Sequence, residues 1–174
     1  VVTATRVETN SFDLPISIDV VDDKDIHGGN LAMSVAESLV RVPGITANDR
    51  SEMTQDTQIT TRGFGARSAF GVRGIRLYID GISLSSSDGI SFPGSINLDN
   101  VKSIEVMRGP FSSLYGSSSG GVVQFLTKDA PKSTEITSNF MAGSYGTTKE
   151  SLGISFSIKL SSLILCKTSE DNLT

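Results

Sequence analysis

The chain has no tryptophan, a single cysteine, a single histidine and only 5 prolines in 174 residues. With Cys166 alone, an internal disulfide framework and a multi-cysteine zinc site are both excluded. His27 has no second His or Cys near it and reads as a surface residue. Hydrophobic residues make up 37% and aromatics 6%, below the roughly 45–50% apolar usage of an average globular domain, so the core is expected to be thin. No apolar run of about 18 residues occurs, which leaves no membrane-spanning helix. A formal charge of −4 does not suit a protein that neutralises many phosphates, so nucleic acid is not an expected partner. The chain starts at Val1 without a charged-then-apolar leader, and an export signal, if there was one, is expected to have been removed.

Glycine is abundant, at 17 residues, and serine is common beside it, a composition of tight turns rather than of a helical bundle. The length fits one domain, or one domain with a fragment of another, on a prior of about 150 residues per domain. Residues 1–15 read as an extended arm, beginning with the β-branched Val1–Thr5 (VVTAT). Ile16, Ile18 and Val20 alternate with polar residues as a half-buried strand, and Asp22, Asp23 and Asp25 predict a turn. From Asn30 as N-cap, the spacing of Leu31, Val35, Leu39 and Val42 predicts a helix stopped by Pro43-Gly44. Short strands are expected at Ile45–Ala47, Ile59–Arg62, Ile75–Ile79, Ser103–Arg108 and Val122–Thr127, with a helical turn near Ser112–Tyr115. Gly63–Gly74 reads as a mobile glycine-rich loop, and Ser83–Ser95 as a second loop. Strands mixed with one or two helices indicate an α+β fold over 16–130.

Beyond Pro131 the pattern changes. Ile136 and Phe140 share one face, and Leu152, Ile154, Phe156 and Ile158 alternate with small polar residues. Two strands of about ten residues with one greasy face, over 131–158, have the pattern of a transmembrane β-barrel hairpin, though an ordinary amphipathic hairpin fits the same residues. In 159–174 the alternation dissolves, and no structure is assigned to that tail.

Catalytic and metal-binding patterns fail on context. Gly116-Ser117-Ser118-Ser119-Gly120 matches a nucleophile elbow, but a strand rather than a helix follows it and His27 lies far upstream; a glycine-permitted turn is the better reading of Ser118. No glycine loop ends in the Lys-Ser/Thr pair of a phosphate loop. The Asp22/Asp23/Asp25 cluster lacks the spacing and closing Glu of a calcium loop. With no general acid–base arrangement, a non-enzymatic binding or transport role is expected, with no metal and no cofactor.

In order along the chain, VVTAT at 1–5, LVRVPGI at 39–45, TTRGFG at 60–65, LYIDGI at 77–82 and IEVMRGPFSSLYGSSSGGVVQFLT at 104–127 resemble the plug domain of TonB-dependent outer-membrane receptors. The resemblance implies a small mixed β-sheet with flanking helices, seated in a barrel of about 22 strands and followed by the first hairpin of that barrel, here incomplete. It implies a gate for active uptake of a scarce nutrient, such as a ferric siderophore, at the bacterial outer membrane. The partners it implies are the TonB energy-transducing protein, its own or a separate β-barrel, and a small-molecule ligand such as a metal chelate. Val1, Val2, Thr3, Ala4 and Thr5 stand where the TonB box ends, and such an arm can add as a strand to a partner's sheet edge. Arg62 and Arg108 stand where the family's plug arginines meet barrel carboxylates, a pairing that suits the guanidinium fork; the alternative is that each caps a nearby carbonyl. Arg67, Phe70 and Arg73 stand in the outward, ligand-facing loops. Because a barrel of that size needs roughly 200 residues in strands alone, the chain is expected to be an excised piece or a gene broken near Lys159. The alternative is a freestanding periplasmic ligand-binding or signalling module with a plug fold.

Overall fold

The computed structural model describes residues 17–49, 57–68, 71–109, 112–116, 118–158 and 161–171. It divides into two compact units, Val1–Thr127 and Lys128–Thr174.

In the first unit, β1 (Ser17–Asp22), β6 (Val101–Arg108), β7 (Gly121–Thr127), β4 (Ile75–Ile79) and β5 (Ile82–Ser83) form one sheet in the order β1-β6-β7-β4-β5. Only the β4–β7 pair is parallel, which makes the sheet mixed. Period-two alternation decides its faces. Ile75 and Leu77 of β4, Ile104 and Val106 of β6, Val123 and Phe125 of β7 and Val21 of β1 enter one core cluster with Ile26, Val35, Leu39, Val42, Ile45 and Ile59. Those partners come from α1 (Asp23–His27), α2 (Val35–Leu39), the link after it that holds Val42, and the hairpin of β2 (Ile45–Asn48) with β3 (Gln58–Thr61). On the opposite face Met107, Val122 and Tyr115, the last from the short α3 (Ser112–Tyr115), make a smaller cluster with Ile18 and Tyr78. The thin composition is thus concentrated where it counts: Phe125, Leu77, Ile104 and Ile59 are each 0% exposed, a burial that contributes about 1.5–3 kcal/mol per large apolar side chain.

Several local expectations change. The Asp22–Asp25 stretch is the start of α1 rather than a turn: Asp23 and Asp25 lie in its first turn, where carboxylates favour the helix dipole, and Ile26 plugs into the core. The second helix is capped by Ser34, not Asn30, and its regular part is only Val35–Leu39. Ser34 Oγ accepts the Ala36 amide at 3.1 Å, and the Glu37 carboxylate reaches back to the Ala32 amide at 3.0 Å, a reciprocal arrangement close to a capping box. Ala32, at φ 49°, breaks the helical path between Asn30 and Ser34. The described part of the first glycine loop is pinned rather than loose. Thr61 and Phe64 exchange backbone bonds of 3.0 and 2.8 Å, and Gln58 Nε2 donates to the carbonyls of Ala66 and Ser68.

The second unit is a three-stranded antiparallel sheet of β8 (Glu135–Ala142), β9 (Thr148–Ile158) and β10 (Ser161–Asp171) in the order β10-β9-β8. The hairpin expected over 131–158 is there as β8 and β9, with Ile136 opposite Ile154 and Ser138 opposite Leu152. The tail left without structure is corrected: β10 pairs with β9 from Ser161↔Ile158 to Asp171↔Thr148. Strand pairing is carried by the backbone, so a segment with no clean alternation still extends the ladder. Ile136 is 71% and Phe140 67% exposed.

Candidate functional site

Register fixes which loops share an end of the first sheet. Ile75 opens β4 opposite Gly121, which opens β7, and Gly121 also faces Arg108 at the close of β6. The described parts of 61–74 and 109–120, which adjoin these positions, therefore meet at one end of the sheet, and 84–97, which leaves β5, joins them there. They are bonded to one another. Val72 and Ser91 exchange backbone bonds of 2.8 and 3.0 Å, and the Gly120 amide donates to Gly74 O at 2.8 Å. The Ser85 and Ser91 hydroxyls lie 2.7 Å apart, with Ser91 fully buried. A Cβ on Gly71 would lie 2.5 Å from Ile90 Cγ2, and one on Gly120 2.7 Å from Phe64 Cβ, so these glycines are what lets the three segments touch.

Of the residues expected to face a ligand, Arg67 and Arg73 are exposed on the first of these segments and make no ion pair among the described residues. Phe70 lies outside the described residues, as do Val1–Thr5. Two aromatics that the sequence reading passed over stand here as well: Phe64, 47% exposed, and Phe92, 42% exposed. Phe92 lies in the second expected loop, Ser83–Ser95, and its place beside Gly71 follows from the Val72–Ser91 bridge across the intervening strands. The three segments contain no His, Cys or Met. Their side chains suit the outside of an anionic, partly planar ligand, through guanidinium hydrogen bonds and aromatic faces, and offer no soft donor to a metal.

Arg62 is exposed, in the left-handed conformation at φ 47°, and makes no ion pair among the described residues. Arg108 is placed differently. Its Nη1 donates to Pro43 O at 2.6 Å, its Nη2 donates to Ser17 Oγ at 2.8 Å, and it forms an ion pair with Asp19. Thus it meets both a carboxylate and a carbonyl, and both belong to its own unit. Gly44, at φ 81°, turns the chain against this guanidinium; a Cβ there would lie 3.5 Å from Nη1.

At the other end of the sheet Asp80, at φ 47°, accepts the Thr127 amide at 2.9 Å and the Thr127 hydroxyl at 2.7 Å, and its own amide donates to Phe125 O at 3.0 Å. The turn of the first unit is thereby bonded to that unit's last residue. Ser118 is fully buried and its hydroxyl donates to Gly116 O at 3.1 Å, a bond within the turn. His27 Nδ1 lies 3.1 Å from Asp23 O within α1.

A family model described as the TonB-dependent receptor plug domain matches residues 10–123. Among curated proteins, a hemin receptor of Yersinia enterocolitica is 34% identical over 131 residues, 75% of this chain and 18% of that protein. A hemin receptor of Yersinia pestis is 33% identical over the same shares. The chain thus spans less than a fifth of the length of these relatives. Among solved structures, the alcaligin outer-membrane receptor FauA of Bordetella pertussis superposes with a TM-score of 0.72 at 19% identity, covering 97% of this chain and 29% of that one. The ferric yersiniabactin uptake receptor FyuA of Yersinia pestis gives 0.65 at 22% identity, covering 83% of this chain and 22% of that one. At these identities the likeness is one of fold.

Proposed function

Because the chain belongs to the plug domains of TonB-dependent receptors, we propose that its first unit is the gate of an outer-membrane uptake channel for an iron chelate. In this reading the first unit closes a β-barrel, and the second unit, taken by itself, supplies barrel strands. The N-terminal arm, Val1–Thr5, hands the unit to the TonB protein by adding a strand to a sheet edge. The reading draws support from the mixed sheet and from the amphipathic alternation of β8 and β9, which suits a lipid-facing strand pair.

The observation that carries the ligand class is the bonded end of the sheet, with exposed Arg67, Arg73, Phe64 and Phe92. Iron would arrive there already coordinated, and the loops would read the anionic surface of its chelator. A ferric siderophore fits this description best. Haemin is the competing ligand, since the Yersinia relatives are named hemin receptors. Arg62, exposed and without an ion pair among the described residues, is the proposed contact to a barrel carboxylate.

Titration calorimetry with ferric catecholate, ferric hydroxamate and haemin, using the chain joined to a complete barrel, tests this reading. The expected result is binding of a ferric siderophore that weakens about tenfold or more in Arg67→Ala combined with Arg73→Ala, as loss of charge-assisted hydrogen bonds requires. Binding of haemin alone, or binding indifferent to both arginines, would contradict it.

A further inference from the structure

The turn that carries Arg67 is built onto β3. Thr61 and Phe64 exchange backbone bonds at the end of that strand, and Gly65 O then accepts the Ser68 amide at 3.1 Å. Two tight turns thus follow one another and fold the segment back along the strand it leaves, with Arg67 as the third residue of the second turn. Gly65, at φ 87°, lets this turn lie against β3, since a Cβ there would stand 2.5 Å from Ile59 O. By strand alternation Ile59 and Thr61 are buried, while Gln58 and Thr60 stand on the other, half-buried face. From that face Gln58 Nε2 donates to Ala66 O at 3.2 Å and to Ser68 O at 3.3 Å. These are the carbonyls on either side of Arg67. Both partners are acceptors, so only the amide NH2 can face them, and both of its hydrogens are used. Gln58 is itself held in place. It pairs with Asn48, and the hydroxyl of its neighbour Thr57 donates at 2.7 Å to Asp49 Oδ1, which also accepts the hydroxyl of Ser34, the cap of α2, at 2.6 Å.

We propose that Gln58 is the positioning residue of the ligand turn: its two bonds clamp the carbonyls that flank Arg67, so that the guanidinium is presented from a preformed turn on an anchored strand. The link to the ligand rests on the reading above, in which Arg67 meets the chelate; the clamp itself rests on the contacts of Gln58. Arg67 is exposed and makes no ion pair among the described residues, so its place is set through its backbone. A turn already in its bound shape removes from ligand binding the entropy of ordering those residues. Glutamine is required because the two carbonyls need a neutral double donor at this reach. An ionised glutamate is acceptor-only and would oppose both carbonyls, and a methionine of similar length offers no donor.

Hydrogen exchange of the full chain at short labelling times, resolved by segment, tests the clamp with Gln58→Glu and Gln58→Met, beside Thr60→Val as the control on the same face of β3. Expected in both Gln58 variants is exchange over 62–68 raised about fivefold or more, as the loss of two hydrogen bonds from a turn allows, with β6 and β7 changed by less than about twofold. Thr60→Val should leave 62–68 unchanged. No acceleration over 62–68 would overturn the proposal. So would acceleration in Gln58→Glu alone, which would mean charge repulsion, or equal acceleration in β6 and β7, which would mean a general destabilisation. Should Gln58→Glu fail to fold, Gln58→Met, which adds no charge, decides by the same criteria. Ligand enters only a second measurement. With the chain joined to a complete barrel, Gln58→Met should weaken binding of the ferric catecholate about threefold or more. In an Arg67→Ala background it should weaken binding by less than about twofold, because a residue that acts through Arg67 then has nothing to position. Equal weakening in both backgrounds would overturn the positioning role. If Arg67→Ala by itself leaves binding unchanged, the failure falls on the ligand reading, and the exchange result decides whether Gln58 holds the turn.

Discussion

Gly121 and Asp80 show how single positions fix the sheet. At Gly121, φ is 132° and an added Cβ would lie 2.4 Å from the backbone oxygen of Met107, so β6 and β7 can approach only if this residue has no side chain. Gly121→Ala should lower stability by roughly 3 kcal/mol, the range for a strained backbone joined to a clash, read as the shift of a urea-unfolding midpoint at unchanged slope. Asp80 combines a left-handed backbone with three bonds to the end of β7. Asp80→Ala should cost about 2 kcal/mol, since it loses both side-chain acceptors and the αL tolerance, while Asp80→Asn should cost less than half of that. Equal losses for the two would show that the bonds of the two carboxylate oxygens to Thr127, and not the left-handed backbone, which Asn also tolerates, are what matters. An Asp-Gly pair such as Asp80-Gly81 is readable in a sequence as a turn, because Asp tolerates positive φ. The Thr127 partner is not, because nothing local in the sequence links residues so far apart.

The same division runs through the elements. β4, β6 and β7 were readable from alternation and apolar runs, since each presents large residues to a face that has to be buried. The cap of α2 was misplaced by four residues because Asn30 and Ser34 are both competent caps, and the choice was made by Glu37 bonding back to Ala32. Ser34→Ala should therefore destabilise the first unit by about 1 kcal/mol, whereas Asn30→Ala should change little; urea midpoints of the two variants measure it. Pairing of β1 with β6 and of β4 with β7 is set by non-local contacts, and no periodicity encodes which strands become neighbours. Likewise β10 was unreadable because its register with β9 is carried by backbone bonds rather than by its side-chain pattern. At the candidate ligand end, Arg67 and Arg73 stood out as charges in a glycine loop; Phe64 shares that loop but was passed over, and Phe92 is brought to it by the Val72–Ser91 bridge.

At the scale of the molecule, two compact units with different surfaces share one chain. The first has its own core. The second exposes Ile136 at 71%, Phe140 at 67% and Leu152 at 53%, a surface suited to lipid and, in water, to self-association. Residues 1–127 alone should accordingly fold with the same cooperative unfolding transition and remain monomeric in sedimentation at concentrations where the full chain associates. A 1–127 piece that is unfolded, or that associates as strongly as the full chain, would contradict this division of labour. The central claim, that the first unit is a gate opened through its arm, is tested most directly by uptake. The chain should be joined to the barrel of a hemin-receptor relative, in cells that have no other receptor for the ligand, and accumulation of labelled ferric siderophore measured with and without Val1–Thr5. Gating predicts accumulation that requires both the arm and an energised inner membrane, and no leak when either is removed. Accumulation that is the same without the arm, or in de-energised cells, would contradict it.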